Sequence, residues 1–193
     1  MAPLFAAAEK ANAKALAEER DYNFLKKLVQ ILAELGGQLC YVWVADAAGS
    51  KTATWNKRPA NLDVYLNAML AFAGHPSQTV NMTANELWNK FFRHAEIAKD
   101  ELFKTYVPKW AEAALKKSVR VGSPGRGDHP SCAYSQLDFD GEHEFAAFFA
   151  KYRVILFEGV RIVSSLDAPV TFHYTEAWLK EVLSRAPKVM EIK

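Results

Sequence analysis

The stretch GSPGRGDHPSCAYSQLDFDGEHEFAAFF, residues 122–149, contains the longest break in a sequence that otherwise follows helical patterns. Residues that stop helices or fix turns are concentrated in its first part: Gly122, Pro124, Gly125, Gly127 and Pro130. We therefore expect an internal loop over about 122–139. Asp138 and Asp140 have short acceptor side chains suited to a helix N-cap. Glu142 and Glu144 then fall where the helix dipole favours negative charge, so a helix is predicted to restart here.

Apolar residues recur at spacings of three and four on both sides of this break, which indicates amphipathic helices. The clearest stripes run from Phe24 to Leu39, from Leu102 to Val119 and from Phe145 to Val163. They form helix pairs of roughly 40 residues, repeated about three times without a strict sequence repeat. The sequence predicts an all-α fold, a HEAT-type α-solenoid of antiparallel helix pairs over residues 1–193, as a segment of a longer superhelix. A closed helical bundle is the alternative.

Local features should modify these helices. The pair Gly36–Gly37 interrupts an apolar stripe, which favours a kink or the close approach of another helix. Pro108 lies inside a helical pattern and predicts a kink. Asp21 and Asp100 are expected to begin helices as N-caps, and Thr83–Glu86 has the spacing of a capping box.

Composition limits the classes of function. The chain has 193 residues, half of them apolar, and 24 basic against 22 acidic residues give a net charge of +2. Nucleic-acid binding would therefore need a local basic patch, since there is no overall cationic field. No apolar run is long enough to span a membrane, and the N-terminal sequence lacks a secretory signal. Two cysteines, Cys40 and Cys132, fit a reducing compartment, so we expect a cytosolic or nuclear chain.

Residues that could carry chemistry are few. His129, Cys132 and His143 raise the idea of a metal site or a Cys–His nucleophile pair, but a zinc site needs about four ligands at workable spacing. The stretch 138–149 superficially resembles a calcium loop, although its glycine is misplaced and Phe149 stands where a bidentate Glu is needed. We expect no enzymatic activity, no metal and no cofactor.

Basic residues form local groups. One group precedes and enters the break: Lys116, Lys117, Arg120 and Arg126. A second group, Arg153, Glu158 and Arg161, shares one predicted helix, where Glu158 and Arg161 have the i,i+3 spacing of a surface ion pair. A solvated helix face accounts for both groups. The alternative is a surface that contacts phosphates, whose binding would weaken steeply with salt.

Several stretches of the chain carry distinctive combinations of residues. The most specific is Pro130-Ser-Cys-x-Tyr-Ser-x-x-Asp-Phe-Asp140, followed by Glu144-Phe-x-x-Phe148-Phe149. Together with the stretches 22–40 and 71–110, these motifs resemble the exportin-5 family of karyopherin-β nuclear export receptors. The similarity to this family continues to Leu183. Ala95 and Ala133 depart from the family pattern, where Glu is usual, and Glu101 stands where Pro is usual.

The resemblance implies a HEAT-repeat superhelix that works with Ran-GTP and shuttles between nucleus and cytoplasm through nuclear pores. Its cargo would be hairpin microRNA precursors and other double-stranded RNA, held mainly through backbone and shape, with a short 3′ overhang entering a tunnel. Ran-GTP would bind mainly through repeats outside this chain, and protein cargo is a further possible partner. A structural or protein-binding helical-repeat scaffold without RNA contact is the alternative function.

The resemblance also assigns candidate RNA-binding residues. Glu158 matches a family position associated with the overhang, where a carboxylate would accept hydrogen bonds from ribose hydroxyls. Arg153 and Arg161 are candidates for contacts with neighbouring phosphates.

Overall fold

The computed structural model describes residues 19–43, 58–125 and 127–185, so Arg126 lies outside the described residues. All regular structure within these ranges is helical, and the all-α prediction is confirmed. The helices are α1 Glu19–Val42, α2 Leu62–Ala73, α3 Gln78–Arg93, α4 Glu101–Lys104, α5 Val107–Lys117, α6 Pro130–Asp138, α7 Glu142–Leu166 and α8 Ala168–Arg185.

Helix α3 is the centre of the packing. It contacts α1, α2, α6 and α7, while α8 packs on α5 and α7. Trp88 on α3 is fully buried, with ring centroids 5.6 Å from Phe103 and 5.8 Å from Phe92. Short connections join most neighbouring helices of the described ranges, and buried apolar residues from these helices form one shared core. This is the arrangement of a helical-repeat solenoid segment, as predicted.

Gly36 allows α1 to pack closely on α2 and α3. A Cβ at this position would lie 2.8 Å from Leu87 Cδ1 and would overlap the hydroxyl of Tyr65. That hydroxyl donates a hydrogen bond to the carbonyl of Leu32 at 2.6 Å. The predicted close approach is confirmed at Gly36. At Gly37 the nearest atom would be Lys90 Nζ, 3.9 Å away.

Pro108 lies in the first turn of a helix instead of kinking one in its middle. Asp100 caps α4 as predicted, because its Oδ1 accepts a hydrogen bond from the Phe103 N–H at 3.1 Å. Helix α4 ends at Lys104, and α5 starts with Pro108 in its first turn. Proline lacks an N–H and is tolerated in the first turn, where that donor has no helical partner. The predicted kink is therefore replaced by a break.

Two predicted helix starts are wrong. Asp21 lies inside α1, which is already helical at Glu19. Thr83–Glu86 lies in the middle of α3, whose N-cap is Ser77. The Ser77 hydroxyl accepts from the Val80 N–H at 3.2 Å and stabilises this earlier start.

The predicted loop over 122–139 is shorter in the structure, because residues 130–138 form α6. Pro130 stands at the start of this helix, and Nδ1 of the N-cap His129 accepts from the Ser131 N–H at 3.1 Å. The turn prediction holds for the glycines before it, which have positive φ: Gly122, Gly125 and Gly127.

Asp138 does not cap α7, whose N-cap is Gly141. The side chain of Asp138 is 6% exposed, and its carboxylate accepts hydrogen bonds from three side chains on other helices. The donors are the Tyr22 hydroxyl, the Thr79 hydroxyl at 2.8 Å and the Lys26 ammonium at 3.0 Å. Asp138 therefore joins α6 to α1 and α3.

Candidate nucleic-acid interface

Glu158 lies on the surface of α7 between two arginines. Its Oε1 accepts hydrogen bonds from Arg93 Nη2 at 2.6 Å and from Arg161 Nη2 at 2.8 Å, and its Oε2 accepts from Arg161 Nε at 2.8 Å. Arg161 is one turn along α7, as the i,i+3 spacing predicts, whereas Arg93 comes from the last turn of α3. We call these three residues the Arg93–Glu158–Arg161 cluster.

The two arginines keep this carboxylate ionised. Hydrogen bonds from Arg161 and Arg93 hold the pKa of Glu158 well below its usual value, at about 2. The same contact raises the pKa of Arg161. Two positive charges and one negative charge are thus present throughout the neutral pH range, and the cluster has a net positive charge.

A surface groove runs between α3 and α7 beside the cluster. It has a volume of about 350 Å³ and is lined by residues of both helices: Glu86, Asn89, Lys90, Arg93, Val154, Ile155 and Glu158. Asn89 forms part of its floor and donates from Nδ2 to the Ile155 carbonyl at 2.9 Å. This part-buried hydrogen bond joins α3 to α7 within the groove.

Arg153 is not part of this cluster. It is five residues before Glu158 on α7, which places it roughly 140° around the helix axis. Its guanidinium lies 5.3 Å from the centre of the Phe157 ring, in a cation–π contact. The structure therefore brings together two of the three predicted residues, Glu158 and Arg161, and separates Arg153 from them. A role for any of them in RNA binding stays a prediction.

Two of the three described members of the basic group near the break, Lys116 and Arg120, are paired with glutamates. Lys116 donates to Glu112 at 2.7 Å within α5, and Arg120 pairs with Glu142 at the start of α7. Lys117 is half-buried, and burial lowers its pKa. The surface pairs of Lys116 and Arg120 match the solvated-face interpretation, whereas the half-buried Lys117 does not.

The residues considered for chemistry are separated by their environments. His129 is an exposed N-cap, Cys132 is buried and His143 is exposed. Within the described ranges, no group of three or more His, Cys, Asp or Glu side chains is arranged to hold a metal ion. No helix of the described ranges is both long and apolar enough to cross a lipid bilayer.

Sequence reasoning missed Arg93 as a member of the cluster. The residue lies within the stretch 71–110 that resembles the family, but it is 65 positions before Glu158. The local sequence signal at Arg93 is its position in the last turn of α3, where the helix dipole favours basic residues. This signal does not predict a contact with Glu158. The pairing of α3 with α7, which no local pattern specifies, brings the two residues together.

The all-helical packing is that of a helical-repeat protein of the solenoid class. Comparison with known proteins gives the family. The model of the Exportin-5 family matches residues 19–189, and the chain belongs to this family.

Individual relatives agree with this assignment. Over 166 residues, the chain is 39% identical to exportin-5 of Homo sapiens and 37% identical to exportin-5 of Mus musculus. These matches cover 86% of this chain and 13% of each relative. Exportin-5 of Dictyostelium discoideum is 26% identical over 165 residues, which are 86% of this chain and 14% of that protein. The chain therefore spans a small part of the length of these relatives.

Proposed function

We propose that this chain is a segment of a nuclear export receptor that, with Ran-GTP, carries microRNA precursors and other double-stranded RNA from nucleus to cytoplasm. The observation that carries the proposal is membership of the Exportin-5 family over residues 19–189. In this proposal the receptor shuttles through nuclear pores, has no enzymatic activity and needs no cofactor. Ran-GTP binds mainly through repeats outside this chain.

The surface of α7 supports a role in RNA binding. The chain has a net charge of only +2, so contact with a polyanion depends on local groups. The Arg93–Glu158–Arg161 cluster provides such a group, because two exposed guanidinium groups outnumber the carboxylate between them. A-form RNA has a narrow major groove, so its backbone and its single-stranded end are the parts a protein surface reaches most readily. We assign Glu158 to the overhang and Arg153 and Arg161 to neighbouring phosphates.

The function is tested by fluorescence anisotropy with a labelled RNA hairpin that has a short 3′ overhang. Full-length receptor containing this segment is titrated with and without Ran-GTP, at several salt concentrations. We expect binding to require Ran-GTP, to weaken with salt and to favour the overhang over a blunt end. The variant Glu158→Ala should lose part of the preference for the overhang.

Glu176→Ala is the matched control for Glu158→Ala. Glu176 is an exposed glutamate on α8 that pairs with Lys180 at 2.6 Å, away from the groove between α3 and α7. It should bind RNA as the parent does. If Glu158→Ala also behaves as the parent, the assignment of Glu158 is wrong while the receptor function stands.

A protein-binding or structural scaffold is the second candidate, and one observation favours it. Helix α1 exposes an apolar stripe at spacings of seven and four, with Phe24 54% exposed, Ile31 60% and Leu35 38%. Exposed apolar surface of this kind is typical of sites that pack against other proteins or neighbouring repeats. Absence of RNA binding under every condition, with or without Ran-GTP, would favour this second function.

A further inference from the structure

A small surface cleft lies between α5 and α8 and has a volume of about 190 Å³. Its apolar wall is formed by Leu115 of α5 and by Tyr174, Ala177 and Trp178 of α8. Sites for drug-sized ligands have volumes of roughly 300–1,000 Å³, so this cleft has room for a single amino-acid side chain. It is separate from the groove between α3 and α7.

The indole of Trp178 contains a hydrogen-bond donor without an acceptor. Its Nε1 is buried, and no described residue accepts a hydrogen bond from it. A buried donor of this kind has given up its hydrogen bond to water without a replacement, which destabilises the folded chain. The indole of Trp110, in contrast, donates from Nε1 to Asn85 Oδ1 at 2.8 Å. A ligand that brings a carbonyl oxygen into the cleft would supply the missing acceptor for Trp178.

Carboxylates outnumber ammonium groups in the cleft. Glu112 of α5 and Glu181 of α8 both line it, together with Lys116. The Lys116 ammonium donates to Glu112 Oε1 at 2.7 Å, and this contact, with a smaller effect from the charge of Glu181, raises the pKa of Lys116. Two formal negative charges therefore face one positive charge. This balance favours a further cation over an anion.

The cleft lies away from the exposed apolar stripe of α8. Phe172, Leu179 and Leu183 are 74%, 46% and 63% exposed. Successive residues of an α-helix are about 100° apart, so this stripe lies on roughly the opposite side of α8 from Ala177 and Trp178. A helix packed on the stripe would therefore leave the cleft open to another partner.

We propose that the cleft between α5 and α8 binds an arginine residue in an extended peptide segment of a partner protein. Such a residue combines the two groups that the cleft calls for, a cation and a backbone carbonyl. The guanidinium pairs with Glu181 and packs on the aromatic wall, where the ring faces attract a cation. The carbonyl accepts the hydrogen bond from Trp178 Nε1. Arginine suits the site better than lysine, because its planar guanidinium stacks on a ring and bonds a carboxylate at the same time.

The test uses full-length receptor and two peptides, acetyl-Gly-Gly-Arg-Gly-Gly-amide and the same peptide with citrulline in place of arginine. Citrulline has nearly the same shape as arginine but no charge. Saturation-transfer NMR detects binding through the signals of the small peptide, so it suits a large receptor. The arginine peptide should bind the parent about fivefold more tightly than the citrulline peptide, as expected for a partly exposed ion pair.

Two variants separate the two contacts. Glu181→Gln removes the charge and should bring the ratio of the two affinities close to one. Trp178→Phe removes the N–H but keeps an aromatic ring, so it should weaken binding of both peptides by the same factor, about fivefold. A purely structural role of either residue would not produce this pattern.

Each variant has a matched control. Glu176→Gln changes an exposed glutamate of α8 that pairs with Lys180 at 2.6 Å and does not line the cleft, so it should keep both affinities and their ratio. Trp110→Phe should also keep both affinities, but it should lower the melting temperature more than Trp178→Phe does, because it takes a donor away from Asn85. Thermal unfolding followed by circular dichroism measures this difference and shows whether the variants fold.

Three results would overturn the proposal. Equal affinities of the arginine and citrulline peptides for the parent would show that the cleft does not recognise a cation. Parental affinities in Trp178→Phe would show that the indole N–H does not bind the peptide. Absence of binding of either peptide to the parent at millimolar concentration would reject the site. None of these results bears on RNA binding, which is measured separately with the hairpin.

Discussion

Tyr152 on α7 donates a hydrogen bond from its hydroxyl to Oδ1 of Asn81 on α3 at 2.7 Å, and both side chains are fully buried. The same Oδ1 accepts from Asn85 Nδ2 at 2.7 Å. The Nδ2 of Asn81 donates to the carbonyl of Ala73 on α2. One amide therefore joins α3 to both α2 and α7. A buried polar group with all its partners present restricts which helices pack together.

Asn81→Ala should destabilise the chain more than Tyr152→Phe. The alanine variant deprives the Tyr152 hydroxyl and the Ala73 carbonyl of their partner in the core, which should cost about 3 kcal/mol or more in the free energy of unfolding. Tyr152→Phe removes one of two donors to Oδ1 and should cost about 1 kcal/mol. Urea denaturation followed by circular dichroism measures both changes.

Asn67→Ala is the control for this pair. Asn67 is an exposed asparagine on α2, and its removal should change the free energy of unfolding by less than about 0.5 kcal/mol. Equal costs for Asn81→Ala and Tyr152→Phe would show that Asn81 has no role beyond its contact with Tyr152.

The sequence does not reveal this buried network. Asn81, Asn85 and Asn89 recur every four residues on one face of α3, and a polar face of this kind is normally assigned to solvent. It is buried here because α3 is surrounded by other helices. The helices themselves could be predicted, since apolar spacing and Asp100 are local signals, whereas the partners of a polar face depend on the tertiary arrangement.

Gly36→Ala and Gly37→Ala should have opposite effects on stability. A methyl group at Gly36 would collide with the Tyr65 hydroxyl and with both Cδ atoms of Leu87. We expect a loss of about 1–3 kcal/mol in the free energy of unfolding, because α1 must move away from α2 and α3. At Gly37 there is room, so the better helix propensity of alanine should add up to about 1 kcal/mol.

These adjacent variants control for each other, since both replace a glycine in the same helix. Chemical denaturation measured under identical conditions gives the two changes. Destabilisation of similar size at both positions would mean that helix bending at the Gly36–Gly37 pair, and not close packing at Gly36, is what the glycines provide.

The substitution Asp138→Ser distinguishes between two roles of Asp138: joining α6 to α1 and α3, or capping the N-terminus of α7. Serine is a good N-cap, so the substitution would be nearly neutral if Asp138 only capped α7. In the structure Asp138 instead accepts from Tyr22, Thr79 and Lys26, and burial together with the Asp138 contact raises the pKa of Tyr22. Loss of this buried carboxylate should cost about 3 kcal/mol in the free energy of unfolding.

Asp140→Ser is the matched control because Asp140 is exposed and two residues further along. Its backbone N–H donates to Glu144 Oε2 at 2.8 Å, and this contact does not use the aspartate side chain. The substitution should change stability by less than about 0.5 kcal/mol. A change as small at Asp138 as at Asp140 would restore the capping interpretation.

The candidate site could be predicted only in part, for a similar reason. The i,i+3 spacing on one helix was enough to pair Glu158 with Arg161. The contribution of Arg93 required the packing of α3 against α7, whereas the separation of Arg153 from Glu158 follows from their spacing of five residues on one helix. Periodicity defines the faces of a helix, but it does not state which helix each face meets.

His75 should make stability depend on pH between about 4 and 6.5. The residue is 2% exposed, and burial, with a smaller effect from the Lys117 charge, lowers its pKa from 6.5 to about 4. Between these values the unfolded chain binds a proton that the folded chain does not, so the free energy of unfolding falls as pH decreases. The full loss is about 3 kcal/mol once the pH is below 4.

Comparison with His75→Asn isolates this effect from other titrating groups. An asparagine oxygen can replace Nδ1 of His75, which accepts a hydrogen bond from the Ser77 N–H at 2.9 Å, but it does not titrate. The difference in the free energy of unfolding between parent and variant should therefore shrink as pH falls from 6.5 to 4. Lys117→Met should raise the midpoint of the His75 titration, observed by NMR, because it removes a nearby positive charge. A difference that is constant from pH 7 to 4 would show that His75 does not remain neutral in the folded chain.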